Sequence, residues 1–227
     1  MKTIRFLLIP ALLTLLFVTV SATKDESKEV EKIHSATNVL KDFDQMKESI
    51  PHDLIQDCEG VVIVRELLNA GFVVGGKRGR GIAMVKLENG KWSDPVFITL
   101  TGGSFGFQIG VQSVDLVMIF RHKGVLTKVK NGDFTIGGDA SAAAGPVGRS
   151  TSANTDYTMK AEVYSYSRSR GLFAGITING SNLGIDKKAN ANFYGSDISS
   201  EDIFGMGKND SEAVSELKKT LRGMEKD

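Results

Sequence analysis

The stretch TLTGGSFGFQIG, residues 99–110, decides how the chain is read. GGSFG matches G-x-S-x-G, which puts Ser104 where a hydrolase carries its nucleophile. A nucleophile elbow needs a strand, a sharp turn and then a helix that lifts the hydroxyl clear of the sheet. ITLTGG supplies a strand, but Phe105, Phe107, Ile109 and Val111 then alternate as a strand does. A base is missing as well. His122 lies only 18 residues on, with Asp115 between, which leaves no room for a triad on separate strands. The glycines are read instead as permitting a tight turn, a hairpin or a bulge with close backbone contact. The chain is expected to be a non-enzyme.

Working outward, short β-type runs fill the middle of the chain. They are GVVIV (60–64), GFVVGG (71–76), GIAMVKLE (81–88), DPVFITLT (94–101), FGFQIGV (105–111) and DLVMIF (115–120). DFTIGGDAS (133–141), AEVYSYS (161–167) and GLFAGITING (171–180) continue the pattern, and GVLTKVK (124–130) fits a short helix. Asn89-Gly90 is a strong hairpin signal and Asn131-Gly132 a second turn. Glycine makes up 25 of the 227 residues, above the usual ~7 %, whereas proline is scarce. The runs lie too close together for helical crossovers, so the sheet should be mainly antiparallel. The expected class is α+β: a twisted, mainly antiparallel sheet or partly closed barrel flanked by N- and C-terminal helices.

The ends have a different character. Lys2 and Arg5 precede an apolar run from Phe6 to Val20, and Val20-Ser21-Ala22 fits a small-residue cleavage site. Residues 1–22 therefore read as a signal peptide, the run being shorter than the roughly 20 residues that span a bilayer. A retained anchor is the alternative. The expected location is outside the cytoplasm, periplasmic or extracellular, with possible association with a membrane. Residues 23–50 read as an amphipathic helix, because Val30, Ile33, Ala36, Leu40, Phe43 and Ile50 recur on one face and Pro51 ends the pattern. That face either packs on the domain or meets a membrane, and Ile33, Leu40 and Phe43 are its membrane-facing candidates. Residues 51–227 form the domain. It closes with a helix from about residue 210, on which Val214, Leu217 and Leu221 share a face and Lys218, Lys219 and Arg222 suit a helix C-terminus.

Charge narrows the partners. Loss of Lys2 and Arg5 takes the basic count from 28 to 26 against 27 acids, a net charge of −1. No global positive field recruits nucleic acid. The densest basic cluster in the body is Lys77, Arg78 and Arg80, on what reads as a glycine-rich hairpin tip. GFVVGGKR (71–78) follows the phosphate-loop pattern up to Lys77, but Arg78 stands where Ser or Thr should bind magnesium, and a strand-like segment follows. The cluster is either a solvated tip or a contact for anionic lipid head groups. His34, His52 and His122 lie in separate segments at no metal-ligand spacing. Cys58 is the only cysteine, so no internal disulfide forms, and its apolar setting reads as a buried thiol. Asp42/Asp44 and Glu201/Asp202 read as solvated helix faces.

The ordered segments IPHDLIQDCEGVVIVRE, AGFVVGGKRGRGIAMVK, WSDPVFITLTGGSFGFQIGVQSVDLVMIF, GGDASAAAGPVGRS, YSYSRSRGLFAGITINGSNL and NFYG resemble those of the SYLF family, from about Ile50 to Gly195. The resemblance implies a lipid-binding domain with GGSFG as scaffold, no cofactor and no chemistry. It also implies binding to membrane lipids, including phosphoinositides in eukaryotic members, and to filamentous actin in fungal ones. The expected function is a non-enzymatic module for anionic phospholipid or phosphoinositide-type head groups. A protein-interaction or structural module, actin-binding as in fungal relatives, is the alternative.

Overall fold

The structure is a computed structural model that describes residues 27–46, 50–129, 134–145, 161–169, 171–173, 178–195 and 198–225, without the side chains of 72–74 and 104–110. The expected leader at 1–22 and the Asn131-Gly132 turn lie outside the described residues.

The described residues open with helix α1 (Lys28–Asp44), capped by Ser27, whose hydroxyl accepts a bond from Val30 N at 3.3 Å. Glu29 and Glu31 in its first turn complement the helix dipole. After Pro51 comes the short helix α2 (His52–Asp57). Two long strands follow, β1 (Gly60–Val85) and β2 (Val96–Phe120), then α3 (Lys123–Thr127) and the short strands β3 (Phe134–Ile136) and β4 (Ala142–Ala144). Strands β5 (Val163–Ser169), β6 (Leu172–Phe173) and β7 (Ser181–Ile185) complete the sheet. Three helices end the chain: α4 (Lys187–Tyr194), α5 (Ser200–Gly205) and α6 (Glu212–Met224).

These strands form a seven-stranded sheet in the order β3-β7-β2-β5-β4, with β1 on β2 and β6 on β5. Every ladder is antiparallel except that of β4 with β5. Six of the runs expected as separate strands are thus two strands in one ribbon. Asn89-Gly90 joins them as expected: Gly90 has φ +74°, and Gly90 N donates to Leu87 O at 2.9 Å. GGSFG is neither an elbow nor a hairpin. Ser104 sits inside β2 opposite Gly75, and the strand runs on to Phe120.

The ribbon doubles back so that the two halves of β1 meet. Lys86 N donates to Glu59 O at 2.8 Å across this seam. A Cβ on Gly81 would lie 2.1 Å from Ile63 O, and one on Gly79 would lie 2.6 Å from Val64 Cγ1. Only glycine lets backbone and side chains approach this closely. The seam curls the sheet into a partly closed barrel.

Both faces of the sheet are covered where the helices pack on it, which is why these strands read there as nearly unbroken apolar runs. Val61, Ile63, Ile82, Met84, Phe97, Val117 and Ile119 face one core, which α1, α4 and α6 complete. Val62, Val64, Ala83, Val85, Ile98, Leu116 and Met118 face the other, which includes Leu126 of α3 and Ile203 and Phe204 of α5. The α6 face expected from Val214, Leu217 and Leu221 is buried in the first core. Lys218 does more than suit the helix end: it reaches the Asp94 carboxylate at 2.6 Å.

The W-S-D-P segment is scaffold. Trp92 Nε1 donates to Glu225 at 3.0 Å, and Ser93 Oγ accepts from Val85 N at 3.0 Å. Pro95 O accepts from the Tyr194 hydroxyl at 2.7 Å. Asn190 of α4 pairs with both backbone groups of Phe97, at 2.9 Å each. These bonds fix the helices on the sheet.

Candidate functional site: a basic groove between α1 and β1

A cavity of about 620 Å³ runs between the N-terminal half of α1 and the seam of β1. Its walls carry Lys28 and Lys32 from α1 and Arg65, Arg78 and Arg80 from β1. Glu31 and Glu66 are the carboxylates on the same walls, and Ala36, Ile63, Gly79 and Gly81 also line it. Five cations against two acids make this a local positive patch on a chain whose formal net charge is only +1.

Each cation is placed by its element. Lys28 and Lys32 stand one helical turn apart, so they share a face. Arg78 and Arg80 are two apart on a strand, so they share a face as well, and both are exposed. Lys32 lies 3.9 Å from Glu29, and Arg80 lies 3.7 Å from Asp186. Arg65 donates to Ser35 Oγ at 3.2 Å and approaches the Glu66 carboxylate at 3.4 Å. Arg78 has no ion pair among the described residues.

Arg65 and Glu66 owe their position to a bulge. The register of β1 against β2 shifts between Val64 and Leu67, and Glu66 takes φ +55°, rare for a side-chain-bearing residue. Glu66 N donates to Asp115 Oδ1 at 3.1 Å, which holds that conformation. Asp115 is itself held by Arg168 Nη2 at 2.9 Å. Arg168 also binds Asp42 on α1, and its guanidinium lies 5.9 Å from the centre of the Phe43 ring. One arginine therefore anchors both walls of the groove. Asp42, expected on a solvated face, belongs to this anchor.

The expected basic cluster is only partly kept together. Arg78 and Arg80 line the groove, but they are not on a hairpin tip. They lie within β1, opposite Thr101 and Thr99 of β2. Lys77 alternates to the other face, is buried, and its ammonium pKa is lowered by that burial. Period-two alternation splits a sequence cluster that looked continuous. The membrane-facing candidates are also corrected. Ile33, Leu40 and Phe43 are fully buried in the first core, because α1 packs on β1 and α6. Lys28, Lys32 and Arg65 escaped the sequence reading. Lys28 and Lys32 carry a local signal in their i, i+4 spacing, and Arg65 carries none.

Among the described residues the histidines and Cys58 lie apart from the groove. His34 Nδ1 lies 3.6 Å from Glu216, His52 Nδ1 lies 2.8 Å from Met224 O, and His122 stands exposed ahead of α3. Among the described residues no group of His, Cys, Asp and Glu could hold a metal ion. Cys58 is buried with its thiol donating to Ile55 O at 3.1 Å, and desolvation pushes its pKa up to about 12. Among the described residues no helix is long and apolar enough to cross a membrane.

What the groove offers is donors for anionic oxygen. Guanidinium groups present planar forks that match phosphate and carboxylate, and ammonium groups add mobile charge.

A family model described as "Ysc84: Las17-binding protein actin regulator" matches residues 101–224. The chain is 36 % identical over 178 residues to SH3 domain-containing YSC84-like protein 1 of Xenopus laevis, covering 78 % of this chain and 53 % of that protein. The human protein of the same name is 36 % identical over 184 residues, covering 81 % and 54 %. LAS seventeen-binding protein 3 of Saccharomyces cerevisiae is 33 % identical over 186 residues, covering 79 % and 40 %. The chain thus spans about half the length of the vertebrate relatives and less of the yeast one. The family's description names a binding regulator and not an enzyme. On the match over residues 101–224, which takes in β2 from Thr101 and every later element, and on the agreement of these relatives with the SYLF resemblance, the chain belongs to the Ysc84 family.

Proposed function

We propose that the chain is a non-enzymatic module that binds anionic phospholipid head groups in the groove between α1 and β1. The observation that carries this reading is the convergence of Lys28, Lys32, Arg65, Arg78 and Arg80 on one cavity, with Arg78 unpaired among the described residues. A cation near an anionic membrane surface contributes about 1 kcal/mol. The groove has an excess of three positive charges. That excess corresponds to about 3 kcal/mol, or on the order of a hundredfold preference for anionic over neutral vesicles.

The proposed place of action is outside the cytoplasm. Support comes from Lys2 and Arg5, the apolar run to Val20 and the small residues Ser21 and Ala22. Mass spectrometry of exported protein checks this, and an intact N-terminus in cytoplasmic extract would contradict it.

Flotation of the full chain with phosphatidylcholine vesicles, with and without phosphatidylserine, tests the lipid reading. Binding only to the anionic vesicles, lost at about 1 M salt where the screening length falls to roughly 3 Å, is expected. Equal binding to both vesicle types would refute it. A second reading seats an acidic protein segment in the same groove, and the family's description as Las17-binding favours it. Charge-dependent capture of an acidic peptide with no vesicle binding would establish that reading instead.

A further inference from the structure

Strand β1 carries the face covered by α1 beyond the end of its cover. Past the bulge at Arg65 and Glu66, the even-numbered residues of β1 occupy one face. Ile82 and Met84 on that face are buried in the core beneath α1. Arg80 and Arg78 emerge from it exposed, and on the other limb of the doubled ribbon so do Ala70 and Leu68. Leu68 also lines the groove. The register places Val111 of β2 opposite Ala70, and Ser113 opposite Leu68. Leu68 is 50 % exposed and Val111 75 % exposed, two of the four large apolar side chains left open among the described residues. They lie on neighbouring strands of the ribbon, and Leu68 shares the groove lining with Arg65, Arg78 and Arg80.

We infer that this uncovered ribbon face, Leu68, Ala70 and Val111, enters the interfacial layer of a membrane while the groove holds an anionic head group. The inference rests on the head-group reading and adds the orientation of the domain on the lipid surface. The argument for a lipid surface is charge complementarity. An anionic membrane presents phosphates directly above acyl chains, and the ribbon presents arginines directly beside apolar side chains. The second core is closed beneath it by Leu67 and Val114, so the face can be changed without disturbing the fold.

The test uses Val111→Cys in the full chain, labelled with a polarity-sensitive fluorophore. Cys58 is buried and its thiol stays protonated, so labelling is selective. With phosphatidylcholine–phosphatidylserine vesicles the emission should shift to the blue, and nitroxides on the acyl chains should quench it. Unlabelled Leu68→Ser/Val111→Ser should bind these vesicles about tenfold more weakly and melt as the wild type does. An unshifted label and an unweakened double variant, with Arg78→Ser/Arg80→Ser still weakened, would overturn the ribbon contact and leave the head-group reading standing. Wild-type chain that ignores the vesicles altogether would overturn both. A blue shift that grows with protein concentration in the absence of lipid would overturn the inference in favour of a second copy of this chain.

Discussion

Gly81→Ala probes the seam on which both the barrel and the groove depend. The new methyl would lie 2.1 Å from Ile63 O and 2.9 Å from Ile63 C, both backbone atoms. Carbon contacts settle near ~3.5 Å, so the halves of β1 must separate by about 1 Å. That displacement weakens the bond from Lys86 N to Glu59 O, which contributes roughly 1 kcal/mol. Overpacking adds roughly 1–3 kcal/mol. A total loss of about 3 kcal/mol is expected, and for a chain of this size it lowers the melting midpoint by roughly 6–12 °C. Gly76→Ala is the control on the same strand. Its nearest atom is Gly102 O at 3.9 Å, an ordinary contact, and reduced freedom of the unfolded chain should stabilise it by up to about 0.5 kcal/mol. Calorimetry and urea titration of the two variants decide the matter. A Gly81→Ala protein as stable as Gly76→Ala would show that the halves of β1 do not meet as described.

Other perturbations test the remaining contacts. Arg168→Met leaves Asp115, whose side chain is 17 % exposed, without its guanidinium; a loss of about 3 kcal/mol by urea titration is expected, with weaker binding to anionic vesicles as the groove walls loosen. Lys218→Met leaves the Asp94 carboxylate, 4 % exposed, without its cation and with only the bond from Asn209 N; it should also lose about 3 kcal/mol, while Lys218→Met/Asp94→Leu should recover much of it. Cys58 should resist alkylation at pH 8 in the folded chain and react in denaturant. Its pKa is higher folded, about 12, than the ordinary value of 9.0, so its contribution to stability is complete below pH 9 and declines towards pH 12. Cys58→Ala should therefore flatten part of the alkaline loss of stability over that window.

How far the sequence could be read depended on whether the signal was local. Helical spacing located α1 and α6, because a buried stripe at i, i+3 and i+4 is a property of one segment. Whether the α1 stripe met protein or membrane was not local. It depended on β1 and α6, which lie far along the chain. The glycines misled for a definite reason. Glycine normally punctuates strands, and here Gly75, Gly76, Gly102 and Gly103 continue them while Gly79 and Gly81 close a seam. Strand β7 escaped notice because Ser181, Asn182 and Gly184 interrupt its apolar pattern, although Leu183 is fully buried. Charge density picks out Arg78 and Arg80, but it also groups Lys77 with them, and strand alternation turns Lys77 to the other, buried face. Arg65 needed the Glu66 bulge, whose positive φ depends on a bond from Asp115 about fifty residues away.

Binding of an anionic head group in the groove between α1 and β1 is the proposal on which the function rests. Its most direct test is titration of the full chain with short-chain phosphatidylserine below its micelle concentration, following the Arg side-chain Nε resonances by NMR. Saturable shifts at Arg65, Arg78 and Arg80, with Arg222 unmoved, are predicted. Shifts spread evenly over all the arginines, or none at any concentration, would contradict it.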